Sequence, residues 1–229
     1  MLAIESKFFC IHIYSVLAEL SKRYKSFLNG DSSTLHTNVM GTAFKAVLKN
    51  SSDPITDFDT ILNFYKTCTS VDQKLSALAS LGTVQNTEVL HQLFGIILDS
   101  EVVKPQDIIY PLGPMGQVGA LKGQKLDMLW NWIIQNWVEL HKRYKASLSL
   151  LGRVLQSAIG PRIGLDFIET VESWARGDDL GTAEEKASRQ DQLKTARRPL
   201  DQSIESVKTY TNWVSRERDA IAQWIKSNL

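Results

Sequence analysis

Cysteine is scarce in this sequence: Cys10 and Cys68 are the two among 229 residues. They cannot build the disulfide framework of a small secreted domain, and neither stands in a CxxC, so a reducing compartment is the expected setting. An excess of either charge is missing too, since 26 Lys and Arg against 25 Asp and Glu leave a formal net charge of +1. Without a basic surplus, nothing holds the chain electrostatically to nucleic acid or to an anionic membrane. No apolar run reaches the length that crosses a bilayer. Strand signals are nearly absent: there is no sustained alternation, and no Asn-Gly or Asp-Gly turn lies between β-branched runs.

Catalytic signatures are missing as well. The four histidines, His12, His36, His91 and His141, are spread along the chain with no HExxH and no paired Cys/His spacing. Glu88 and His91 form a single ExxH, whereas a di-iron bundle needs two such motifs and two more glutamates. Neither GxSxG nor SxxK occurs. The stretch GPMGQVGALKGQK at 113–125 imitates a phosphate loop with glycines at 113, 116, 119 and 123, but Gln124 follows Gly123 and no Ser or Thr follows Lys125. The GxGxxG spacing fails too, because these glycines are never two apart. They and Pro114 read as the end of one helix and the approach to the next, expected from near Leu121.

What is present is helical periodicity. Phe58, Ile61, Leu62 and Tyr65 fall at i, i+3, i+4, i+7, the stripe that an amphipathic helix buries. Ser70 and Gln73 have capping-box spacing ahead of Val71, Leu75, Leu78 and Leu81, and Gly82 closes that run. Asn86 or Thr87 opens a helix carrying Val89, Leu90, Leu93, Phe94 and Ile97. One long aromatic helix is expected through Tyr144, with Leu126, Trp130, Ile133, Trp137 and Leu140 inward and Lys142, Arg143 and Lys145 at its C-terminal end, where cations suit the helix dipole. Trp132 lies off that face and reads as a possible second contact surface. Further helices are expected around Leu148–Ala158 and Leu165–Trp174, separated by Gly160 and Pro161. The charged stretch 176–198 should hold a loop and a short exposed helix. A final helix from about Pro199 would turn Leu200, Ile204, Val207, Val214, Ile221 and Trp224 inward.

The apolar run Phe8–Ala18 admits a buried helix or strand, a segment foreign to the domain behind it, or a signal-peptide core, although Glu5 beside Lys7 spoils the positive flank of the last. The fold class expected is all-α. Helical hairpins beginning near 37, 70, 104, 147 and 183 suggest an irregular superhelix of antiparallel αα pairs, a HEAT- or armadillo-like solenoid without a repeated consensus.

Several stretches in fixed order resemble a known family. They are LSKRYKSFLNGDSSTLHTNVMGTAFKAVLKN at 20–50, QDIIYPLGPMGQVGALKGQKLDMLWNWIIQNWVELHKRY at 106–144, LSLLGRVLQSAIG at 148–160, and the R-x-L-x-Q-x-I-E run at 198–205 followed by Trp213 and Trp224. Together these are similar to the C-terminal helical domain of zinc aminopeptidases related to aminopeptidase N, the puromycin-sensitive enzyme and the endoplasmic-reticulum enzymes, with the fungal versions nearest. The resemblance covers about 20–229, leaving 1–20 as a divergent N-terminal segment and 21–229 as the domain. The charged insertion at 177–197 also departs from the family pattern.

In that family the zinc, its HExxH and the GxMEN motif belong to a separate catalytic domain, and neither motif occurs in this chain. The resemblance therefore implies a non-catalytic domain that encloses a peptide-substrate chamber and docks on a catalytic domain carried elsewhere, as a truncated or alternatively started product. It implies no cofactor in this chain. Arg198 and Gln202 match the family's R-x-L-x-Q run and are the expected chamber contacts, with Arg198 suited to a peptide carboxylate. The other reading is a standalone helical scaffold that binds a protein on its concave face. The cytoplasm is the expected location, with secretion as the alternative from the run at 8–18, and self-association is expected of a domain without its partner.

Overall fold

Ser70 begins a helix, but not by the means that its spacing suggests. Its side chain makes no capping bond, and Gln73, the other half of the expected box, donates instead to Thr37 Oγ1 at 3.1 Å. That bond ties the start of one helix to the start of another thirty-six residues earlier. The computed structural model describes residues 2–117, 124–160 and 162–228, and among these all regular structure is helical, with twelve α-helices, two 3₁₀ turns and no strand. The chain divides into two units, 1–93 with 214–229, and 94–213.

In the first unit α1 (Leu2–Leu28) packs on α2 (Thr37–Asn50), and α2 packs on α3 (Pro54–Thr67) and α4 (Val71–Leu81). The apolar run at 8–18 is helical, inside α1; its members up to residue 13, with Cys10 and His12, lie outside the described side chains. Short polar side chains start these helices. His36 Nδ1 accepts from the Asn38 amide at the head of α2, and Asp53 Oδ1 accepts from Thr56 ahead of Pro54, the proline of the first turn of α3. The stripe Phe58, Ile61, Leu62 and Tyr65 is buried as its spacing requires. Tyr24, Phe27, Phe44 and Phe64 meet edge-on or tilted, with Phe44 and Phe64 centroids 5.5 Å apart. Ser80 of α4 donates to the Gly41 carbonyl of α2 at 3.2 Å. The helix α5 (Thr87–Leu98), opened by Asn86 accepting from Val89, spans the boundary between the units.

The second unit contains α6 (Ile109–Met115), α7 (Gln124–Gln135), α8 (Trp137–Tyr144), α9 (Leu148–Ile159), α10 (Asp166–Arg176) and α11 (Ala183–Leu193). The long aromatic helix expected through Tyr144 is thus two helices. Asn136 interrupts it with φ −102° and ψ 11°, and both its backbone and its side-chain N–H groups donate to the Trp132 carbonyl. An Asn that bonds the preceding turn with its side chain competes with helix continuation. Its expected start near Leu121 lies outside the described residues.

The interruption does not separate Trp130 from Trp137. Both meet Trp174 of α10 edge-on, with centroids 5.4 and 5.2 Å away, and Arg189 of α11 lies 4.6 Å from the Trp174 ring while donating to the Trp174 carbonyl at 3.1 Å. Trp132, expected to offer a second surface, is buried and stacks on Phe94 at 5.0 Å. A β-carbon direction off one helical stripe faces solvent only if no second neighbour waits there. The charged stretch holds α11 as expected, started by Thr182 and Glu185 in a complete capping box.

The last helix, α12 (Arg197–Asn228), begins two residues before Pro199. Leu200, Ile204 and Val207 are buried, but Val214 is half-buried and Ile221 and Trp224 are exposed, the latter at 63%. Their inward placement is therefore corrected. Periodicity marks a face, and it does not say how far along the helix that face is covered.

Candidate functional site

Two glycines let helices pack closely around a cleft. A β-carbon at Gly116, which caps α6, would lie 2.8 Å from Ser157 Cα of α9, and one at Gly152 of α9 would lie 2.6 Å from Pro199 in the first turn of α12. Only hydrogen fits at either place. The glycines of the GPMG stretch therefore do more than end a helix: Gly116 lets α6 lie against α9. Gly119 and Gly123 lie outside the described residues.

Between α6, α9 and α12 this packing leaves a cleft of about 380 Å³. Ile109 and Leu112 form its apolar wall, Gly113 and Gly160 expose backbone, and Arg153, Gln156 and Ser206 supply polar groups. Arg153 is the one ionisable side chain among the described lining residues, with no acidic group beside it. An uncompensated guanidinium among neutral donors favours an anion over a cation. The Ser157 hydroxyl is already satisfied by the Val154 carbonyl at 2.7 Å, and that of Ser206 by the Gln202 carbonyl at 2.8 Å.

Arg198 and Gln202, the expected contacts, are both exposed on the first turns of α12. They lie outside the cleft lining but share a four-residue stripe with Ser206, which is in it. Neither side chain forms a hydrogen bond or an ion pair with another described residue, while the neighbouring Arg197 is paired with Asp201 at 3.0 Å. Sequence reasoning missed Arg153 and Gln156. Their signal was the L-G-R-V-L-Q-S pattern, in which Gln156 lies one turn beyond Gly152 on the same helix face and Arg153 follows the glycine directly.

No metal site accompanies the cleft. His36 is engaged at the head of α2, His91 and His141 lie on α5 and α8, and no three His, Cys, Asp or Glu side chains converge among the described residues. The described residues offer no group that could hold a zinc ion. No described helix is long and apolar enough to cross a membrane.

The sequence has counterparts among known proteins. The chain belongs to the ERAP1-like C-terminal domain family, whose profile matches residues 8–209. It is 26% identical to Aminopeptidase 2 of Candida albicans over 93% of its own length and 21% of that protein. It is 25% identical to the mitochondrial Aminopeptidase 2 of Saccharomyces cerevisiae over 90% of its length and 20% of that protein. Human glutamyl aminopeptidase matches at 25% identity over 91% of the chain and 20% of the enzyme. The chain thus spans about a fifth of the length of these relatives.

Proposed function

We propose that the chain serves as the non-catalytic C-terminal domain of a zinc aminopeptidase, walling a peptide-substrate chamber and docking on a catalytic domain carried elsewhere. The observation that carries this reading is the match to a fifth of several aminopeptidases by nearly the whole of this chain. Zinc and bond cleavage then belong to the rest of such an enzyme. In this reading the helical pairs stack as an irregular superhelix. Arg198 and Gln202 face the peptide, with the free Arg198 guanidinium toward its distal carboxylate. The exposed, unpaired state of both side chains supports that role. Residues 21–229 form the domain and 1–20 a segment of divergent character; α1 runs through that division from Leu2 to Leu28. The cytoplasm is its proposed location.

The test has two parts. The purified chain with zinc and aminoacyl-aminomethylcoumarin substrates should be inert, and robust chelator-sensitive turnover would refute the reading. A labelled peptide with a free C-terminus should bind more tightly than its C-terminal amide, and Arg198→Ala should abolish that difference.

A second reading, a standalone scaffold for a protein partner, is favoured by the exposed Tyr210, Trp213, Ile221, Trp224 and Ile225 along α12. The same side chains support self-association of the isolated chain. Light scattering across a concentration series separates these: growth with concentration marks self-association, and a constant monomer mass counts against it.

A further inference from the structure

A cavity of about 300 Å³ opens in the first unit between α1, the end of α2 and the start of α3. From α1, Leu17, Ser21, Tyr24 and Lys25 reach it at four-, three- and one-residue steps; Val47 and Asn50 come from α2 and Asp57 from α3. Tyr24 is 2% exposed, its ring held edge-on against Phe44, and its hydroxyl faces the Asp57 carboxylate without closing a hydrogen bond of normal geometry to it. A buried hydroxyl left so loosely engaged leaves room for an occupant. Burial, and then the nearby Asp57 carboxylate, push the ionisation of Tyr24 well above the usual range for a phenol, so it stands as a neutral donor.

The remaining groups are of both signs. Asp57 Oδ2 accepts from Ser51 Oγ at 2.6 Å, which leaves Oδ1 available. Asn50 uses its amide nitrogen on the Ala46 carbonyl at 2.8 Å, which leaves its oxygen as an acceptor. Lys25 is exposed and forms no ion pair among the described residues. A simple cation would compete with Tyr24 for Asp57 and leave Lys25 without an acceptor. A simple anion would do the reverse.

We propose that this cavity binds a small zwitterion, an α-amino acid with an aliphatic side chain. Its ammonium lies on Asp57 and the Asn50 oxygen, its carboxylate on the Tyr24 hydroxyl and Lys25, and its side chain against Leu17 and Val47. The volume is at the small end of ligand sites, about 300 Å³ and upward, which suits a single amino acid better than a peptide. This site shares no residue with the α6–α9–α12 cleft and stands whether or not the chamber reading does.

The test is calorimetric titration of the full chain with L-leucine, isoamylamine and 4-methylpentanoate, alongside melting curves. Leucine should bind saturably and raise the melting temperature, and each single-ion analogue should bind about tenfold more weakly or worse. Asp57→Asn and Tyr24→Phe should each weaken leucine by about tenfold or more, and Arg153→Ala should leave it unchanged. Tyr24→Phe removes a hydroxyl that closes no hydrogen bond of normal geometry in the empty cavity, so the unliganded variant should melt close to the parent, and that melting curve excludes unfolding as the cause. Absence of saturable leucine binding, equal affinity for either single-ion analogue, or affinity indifferent to both cavity variants would each overturn the proposal.

Discussion

Pro199 of α12 lies against Gly152 of α9 so closely that a β-carbon on the glycine would sit 2.6 Å from two of its ring carbons. A proline ring cannot swing aside as a long side chain can, so any methyl at 152 must push the two helices apart. Gly152→Ala should therefore destabilise the chain by about 1–3 kcal/mol, the usual cost of overpacking. Gly95→Ala of α5 is the control. It is also helical, but nothing lies within 4 Å of the added carbon, so it should be neutral or stabilising by up to about 1 kcal/mol. Urea denaturation of the two variants beside the parent measures the contrast.

Two capping signals of equal standing in the sequence turn out unequal in the structure. Thr182 accepts from the Glu185 amide at 3.2 Å and Glu185 bonds back to the Thr182 amide at 2.9 Å, while Ser70 makes no side-chain capping bond. Thr182→Ala should cost about 1 kcal/mol, and Ser70→Ala only a small fraction of that. Circular dichroism melts of the pair decide it, and equal losses would contradict the assignment.

That contrast shows where sequence reasoning ended. A capping box is local, and its spacing was read at Ser70, but Gln73 found a better partner in Thr37, and no window of a few residues holds that competition. Helix identity followed from periodicity nearly everywhere, because burying an amphipathic stripe requires it. Three things depended on distant neighbours: the interruption at Asn136, the burial of Trp132 under Phe94, and the exposure of Ile221 and Trp224. The cleft itself was not read from the sequence. The stripe holding Arg198 and Gln202 was found through a family pattern, whereas Arg153 depends on where Gly116 and Gly152 press α9 against its neighbours.

Trp174 should be the most sensitive side chain of the second unit. It joins Trp130, Trp137 and Arg189, so its loss removes a large buried volume, two edge-on aromatic contacts and a cation–π contact together. Trp174→Ala should cost about 3–5 kcal/mol. Arg189→Ala should cost less, because the rings remain packed, but it should lower the cooperativity with which α11 melts, since Arg189 holds the Trp174 carbonyl and the Asp179 carboxylate from that helix. Hydrogen exchange resolved to 183–193 would read that local opening.

His141 supplies a test in pH. It is half-buried near Trp137, and burial first, then the Lys145 charge, lower its ionisation below the ordinary 6.5, with Asp191 opposing them. A histidine with a lowered value in the folded chain binds its proton more readily when unfolded. The folded state therefore keeps its full advantage above about pH 6.5 and loses it progressively as pH falls through the lower folded value. The melting temperature should decline on acidification from pH 7 to pH 5, and His141→Gln should flatten that decline, since glutamine occupies much of the space without titrating. A parallel decline in parent and variant would place the acid sensitivity elsewhere, on carboxylates such as Asp178, which the Arg176 guanidinium holds below the usual carboxylate range and whose protonation takes effect at lower pH.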